Sequence, residues 1–176
     1  MTSSRVWRPA AAAVLLLCGA ARAKAAPFCA YDGELCLTAS DAVGRVPAEA
    51  FKGPRKPLLV LVDKDKSGAA TKRVFLILTE ESGGGAEEAA RAGLEETKLV
   101  GGVSLHPDAK AAPIVLRKGL TAYGYGNGCA DAEKCRPMSF LFFRVGKRLL
   151  KAACPPDALK RCREALATLG PPEKKP

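Results

Sequence analysis

The sequence has a single histidine, His106, next to Pro107. A serine–histidine or cysteine–histidine site would therefore have to use that one imidazole, and no G-x-S-x-G is present to supply the nucleophile. No C-x-x-C occurs, which argues against a zinc ribbon and against a thiol-exchange pair. No internal repeat or coiled-coil heptad is visible. After residue 25 no apolar run is long enough to span a membrane as a helix, so the expected mature chain is soluble. Basic residues are plentiful, but aromatic residues do not interleave with them as a base-stacking platform requires. Nucleic acid is not an expected partner, and no cofactor motif is present.

What is there begins at the front. Arg5 and Arg8 precede an apolar run, Ala10 to Ala20, and small residues follow at Ala21-Arg22-Ala23 and Ala23-Lys24-Ala25. This is the layout of a secretory signal peptide, with cleavage near Ala23 to Ala26. The alternative, lipidation at Cys18, is disfavoured because the preceding residue, Leu17, is not small. Residues 1–25 are read as the signal, 26–170 as one exported domain and 171–176 as a disordered tail. Arg5, Arg8, Arg22 and Lys24 leave with the signal, so the net charge falls from +10 to +6. That moderate excess suits an anionic envelope surface or an acidic partner. Arg144, Lys147, Arg148 and Lys151 are the candidate contacts with an anionic surface.

Export carries six of the seven cysteines into an oxidising compartment, where they read as disulfides rather than metal ligands. Asp32-Gly33 is a two-residue hairpin signal. With that loop, Tyr31 faces Glu34, Ala30 faces Leu35, and Cys29 faces Cys36. Directly opposed strand positions lie roughly 4.5–5.5 Å apart, within reach of a disulfide. Cys129 and Cys135 bracket a loop, while Cys154 ends a strand and Cys162 lies on the helix after it. Many pairings are formally open, and the local set is Cys29–Cys36, Cys129–Cys135 and Cys154–Cys162.

Short apolar runs predict strands at 58–62, 74–78, 114–116, 120–125, 139–145 and 149–153. The rest of 26–56, beyond the front hairpin, reads as irregular. Gly126-Asn127-Gly128 and Gly146-Lys147 read as turns. A helix is expected over 86–99, with Ser82 as its starter and a face of small residues: Ala86, Ala89, Ala90, Gly93, Leu94 and Thr97. A second is expected over 157–169, with Leu159, Cys162, Leu166 and Leu169 on its apolar stripe and Gly170 at its stop. The fold class that follows is α+β: an antiparallel sheet of about six strands packed by two helices and stapled by disulfides.

Three further features read as local structure. Asp63-x-Asp65-x-Ser67-Gly68 resembles half a calcium loop, but its twelfth position is Val74 rather than glutamate, so it reads as a turn. Gly83-Gly84-Gly85 lacks the lysine and hydroxyl residue of a phosphate loop. Gly124-x-Gly126-x-Gly128 has no helix after it. A carboxylate pair for acid–base chemistry would have to come from Asp63, Asp65, Glu80, Glu81, Glu87, Glu88, Glu95 or Glu96, all in apparent turns or on solvated faces.

The stretch Lys147 to Leu169 (KRLLKAACPPDALKRCREALATL), a strand running into Cys-Pro and then an amphipathic helix, resembles the close of PsbP-like exported bacterial proteins. The order of the earlier hairpin and helix is compatible with that family. The resemblance implies an α/β/α sandwich and a largely non-enzymatic accessory, assembly or binding role, with no catalytic residue to carry over. The expected function is thus an exported, non-catalytic accessory or binding protein of the cell envelope, whose partner is a protein or an anionic envelope component. The alternative is a secreted effector or envelope-acting enzyme.

Intact-mass measurement of the exported protein is expected to give a chain starting near Ala26 and lighter than its reduced form by six hydrogens. Free thiols in that species would overturn both the compartment and the staples.

Overall fold

The structure is a computed structural model, and it describes residues 26–50, 56–98, 103–104, 109–129 and 136–171. Residues 1–25, His106 and Cys135 lie outside the described residues. The signal peptide, the Cys129–Cys135 pairing and the 172–176 part of the expected tail therefore fall there too.

Chain order begins with a hairpin of β1 (Ala26–Ala30) and β2 (Leu35–Ala39). Its register pairs Cys29 with Cys36 and Ala30 with Leu35, as the Asp32-Gly33 turn predicts. Tyr31, Asp32 and Gly33 all take positive φ, at 51°, 52° and 96°, and the Glu34 amide donates to the Tyr31 carbonyl at 3.0 Å. With three consecutive positive-φ residues, the loop runs over Tyr31–Glu34, so the expected Tyr31–Glu34 strand pair is not formed although the register is kept; glycine enters that region freely. The Cys29–Cys36 disulfide crosses this pair, with Cα atoms 4.0 Å apart.

The main sheet is larger than the predicted six strands. It contains β3 (Val43–Val46), β4 (Leu59–Lys64), β5 (Ala70–Glu81), β6 (Val103–Ser104), β7 (Ala112–Arg117), β8 (Leu120–Cys129), β9 (Met138–Val145) and β10 (Arg148–Cys154). Seven of these follow the order β3-β4-β5-β10-β9-β8-β6, and β7 pairs along the β8 edge that β6 also uses. Every pairing is antiparallel. The six predicted runs are all strands. The two additions, β3 and β6, are short and lack apolar runs, so only their pairing with β4 and β8 reveals them.

Gly126-Asn127-Gly128 is not a turn. β8 continues through it, Asn127 pairs with Met138, and the Asn127 Oδ1 accepts the Met138 amide at 2.6 Å. Glycine serves close approach in β8 instead: a Cβ on Gly124 would sit 2.6 Å from Leu141 Cδ2 and 2.8 Å from the Phe140 carbonyl oxygen. Gly146-Lys147 does turn the chain between β9 and β10, with Gly146 at φ 59°.

Adjacent residues of a strand point to opposite faces. Phe143 and Leu141 therefore join one core with Leu76, Leu78, Leu150, Ala152 and Cys154, while Phe142 joins another with Tyr125. The larger core is closed by the hairpin, through Leu35 and Leu37, and by α2 (Leu159–Ala167), through Cys162, Ala165 and Leu166. A short 3₁₀ turn, Pro156–Ala158, leads into α2, so the regular helix begins later and ends earlier than the predicted 157–169. Leu169 lies past the helix yet is buried, and Gly170 pairs with Cys36 through two backbone hydrogen bonds, 2.8 and 3.0 Å. Cys154–Cys162 bonds the end of β10 to α2, with Cα atoms 6.5 Å apart.

The smaller core lies on the other face, beneath α1 (Ala86–Lys98), through Ala90 and Leu94. Ser82 does not start this helix. Gly85 does, its carbonyl accepting the Ala89 amide at 2.9 Å, because Gly83 and Gly84 adopt φ near +70° and carry Ser82 away. Among the described residues no helix is long and apolar enough to cross a membrane.

Replacing fully buried Leu150 by alanine is expected to cost about 2–5 kcal/mol in chemical denaturation. Val115→Ala, at a side chain 67% exposed, should stay within about 0.5 kcal/mol of the parent.

Candidate functional site

The small-residue face of α1 decides the geometry of the site. A Cβ on Gly93 would fall 2.8 Å from Tyr125 Oη and 3.0 Å from Phe142 Cζ, so only glycine allows α1 to lie this close to β8 and β9. Thr97 Oγ1 donates to the Gly93 carbonyl at 2.7 Å and lies 3.2 Å from Tyr125 Oη. With its proton committed to Gly93, Thr97 accepts from Tyr125. Burial raises the Tyr125 pKa above its ordinary value and keeps it a neutral donor.

Held over β8 and β9, the helix does not cover β10 and β5. On that face Lys151 sits between Phe142 of β9 and Thr79 of β5, and Ala153 sits between Phe140 and Ile77. These rows form the floor of a groove of about 670 Å³, walled on one side by Ala89, Ala92 and Gly93 of α1. This is within the size range of small-molecule sites. The Lys151 ammonium stands 4.8 Å from the Phe140 ring centroid and 5.4 Å from that of Phe142, a cation over an aromatic floor. Glu81 and Glu96 bring carboxylates to the rim, with Ser82 and Thr79 beside them. The groove offers apolar and aromatic contact at its base and charge of both signs at its edges.

The four cations named from sequence do not share one surface. Arg144 and Lys151 lie on the α1 face by strand alternation, and Arg148 lies on the hairpin face. Arg144 donates to the Gly84 and Lys147 carbonyls, each at 2.6 Å, tying the glycine loop before α1 to the β9–β10 turn. Lys147 is exposed in that turn. Arg148 is engaged internally: its guanidinium lies 3.7 Å from the Tyr31 ring centroid, 3.1 Å from Glu34 Oε2 and 3.6 Å from Glu80 Oε1. Tyr31 Oη donates to Glu80 Oε2 at 2.5 Å. This cluster clamps the hairpin tip to β5 and β10 and holds Tyr31 in a backbone region that a bulky residue rarely adopts.

Most of the other candidate carboxylates are occupied locally. Asp65 Oδ1 accepts from Ser67 N, Ser67 Oγ and Ala69 N at 2.8, 2.6 and 3.0 Å, bonds that hold its pKa below the ordinary range, the Ser67 hydroxyl foremost. Asp63 faces Arg73 and Arg161 at 3.5 and 3.3 Å, and Arg73 also pairs with Asp157. The calcium-like motif is thus a closed turn, with Gly68 at φ 85°. Glu87 pairs with Arg91 and Glu95 with Lys98, both along α1, and Glu88 reaches the Gly85 amide at 3.5 Å. Glu81 and Glu96 are the two that reach the groove. Among the described residues no group of three or more metal-type ligands converges. Sequence reasoning missed the groove, although the small face of α1 and the alternating Phe140 and Phe142 each carried part of its signal.

No protein-family model matches the chain, and no curated protein matches it.

The Tyr31 pKa is pushed from 10.0 up to about 12, first by burial and then by the hydrogen bond to the Glu80 carboxylate. The folded chain therefore holds this proton more tightly than the unfolded chain. The resulting stability is complete below about pH 10 and is lost as pH climbs through about 12. Ultraviolet titration is expected to show a late tyrosine that Tyr31→Phe removes; ionisation of Tyr31 at its ordinary pH would contradict the clamp.

Proposed function

We propose that the chain is an exported, non-catalytic accessory or binding protein of the cell envelope, and that the groove beside α1 takes its ligand or partner. The groove carries this reading: a concavity with an aromatic floor and charged and polar groups at its edges is what a binding module needs. Two disulfides suit an oxidising compartment. The layering, with α1 on one face of an antiparallel sheet and α2 on the other, is the coarse arrangement that the PsbP-like resemblance implies. Attachment to an anionic surface through the four cations has weaker support, since Arg144 and Arg148 spend their guanidinium groups inside the molecule.

One observation favours a second reading, a secreted effector or envelope-acting enzyme. Glu81 and Glu96 both line the groove, and two carboxylates on one concavity are the raw material of acid–base chemistry.

The deciding experiment is cross-linking of the exported protein in its own envelope, with captured species identified by mass. A ligand or partner is expected whose capture falls about tenfold or more in Ala92→Trp, which fills the groove from an exposed helix position. Nothing captured at any salt concentration, or capture indifferent to Ala92→Trp, counts against the groove. Turnover of a captured ligand that Glu81→Gln/Glu96→Gln abolishes would establish the enzyme instead.

A further inference from the structure

A second surface lies at the edge of the sheet beside α2. β7 pairs with β8 alone, so among the described residues its outer backbone edge has no strand partner. Ile114 and Leu116 turn inward onto the larger core, while Val115 is the exposed large hydrophobic side chain of the described residues, at 67%. Between β7 and α2 runs a groove of about 470 Å³, where Val115 and Leu116 meet Lys160, Arg163, Glu164 and Ala167. Arg117 spans the far end, donating to the Leu169 carbonyl at 3.2 Å and fixing α2 against the strand.

Arg73, Arg148 and Arg161 are spent on carboxylates of the same molecule. Lys118, Lys160 and Arg163 are exposed and make no ion pair among the described residues. An unpaired strand edge, an exposed valine and an excess of cations over the single carboxylate of the groove lining, Glu164, thus adjoin one another.

We propose that β7 receives an extended acidic segment of another protein, which adds to the sheet as a further strand. Its backbone pairs along Ile114 to Arg117, since Pro113 has no amide hydrogen to offer. An apolar side chain of the segment covers Val115, and its carboxylates face Lys160 and Arg163. An anionic lipid surface supplies no amide and carbonyl groups to complete the edge. A second copy of this chain brings the same cations against their equals, which opposes edge-to-edge pairing. An acidic strand satisfies the backbone, the valine and the charge together. This inference does not rest on the groove beside α1.

The test pans the oxidised protein against a display library of random peptides of about eight residues, enough for one strand. Enriched sequences are expected to carry Asp or Glu and to lack proline in their centre. The best synthetic peptide should bind about tenfold or more weakly to Lys160→Glu/Arg163→Glu and to Val115→Glu. All three positions are exposed, and circular dichroism should match the parent. N-methylation of alternate peptide amides should abolish binding, and Ala92→Trp should leave it unchanged. No enrichment, enrichment without acidic residues, binding that survives N-methylation, or binding indifferent to the charge reversal would each overturn the proposal. So would a charge-reversal effect confined to sedimentation with phosphatidylglycerol vesicles.

Discussion

Burial of one row of side chains on β10 underlies everything placed on that side of the sheet. Leu150, Ala152 and Cys154 are fully buried and flanked by Leu76 and Leu78 on one neighbour and Leu141 and Phe143 on the other. An isolated two-stranded hairpin is marginal in water, so β1 and β2 hold their form by covering this row. Cys154 ends the row and bonds to α2, so the same strand supplies the apolar surface and the covalent tie. The Gly170–Cys36 pairing then closes β2 against the segment that follows α2, and the first and last elements become one layer.

The opposite face obeys different packing. α1 presents alanine and glycine, approaches closely and covers two strands. A helix with larger side chains would stand farther off and leave a wider, shallower space. Close approach over β8 and β9 is what leaves Lys151, Ala153, Ile77 and Thr79 half-buried beside a wall. The groove is therefore a consequence of helix placement, and its chemistry follows from which residues of β10 and β5 fall on that face.

Several parts of this arrangement were legible in the residues themselves. Asp32-Gly33 set between Cys29 and Cys36 implied the turn and the register, because a short loop centred there fixes which residues oppose each other, although the loop itself spans Tyr31 to Glu34. The apolar runs marked six strands, most plainly β4, whose Leu59 to Val62 are buried on both faces and need no polar alternation. β3 and β6 were not legible, because four and two residues without an apolar run carry no periodicity and exist by pairing with a neighbour. Glycine misled at Gly126 to Gly128: the residue that permits a turn also permits strands to approach closely, and sequence does not distinguish the two uses. The charge reading misled in a similar way. Arg144 and Arg148 look like free surface cations in a linear chain, but carbonyls and carboxylates distant in sequence consume them.

The sequence by itself determined the local matters: the hairpin turn, the cysteines placed to close short loops, the six apolar strands, and two helices with their inward faces. These depend on interactions between residues a few positions apart, which spacing records. Tertiary structure alone decided which strands adjoin, where α1 stops covering the sheet, which carboxylates reach the groove, and which cations remain without a partner. Those outcomes depend on contacts such as Tyr31 with Glu80, 49 residues apart, and Glu34 with Arg148, 114 residues apart. No local pattern encodes them, because they exist only once the chain has closed on itself.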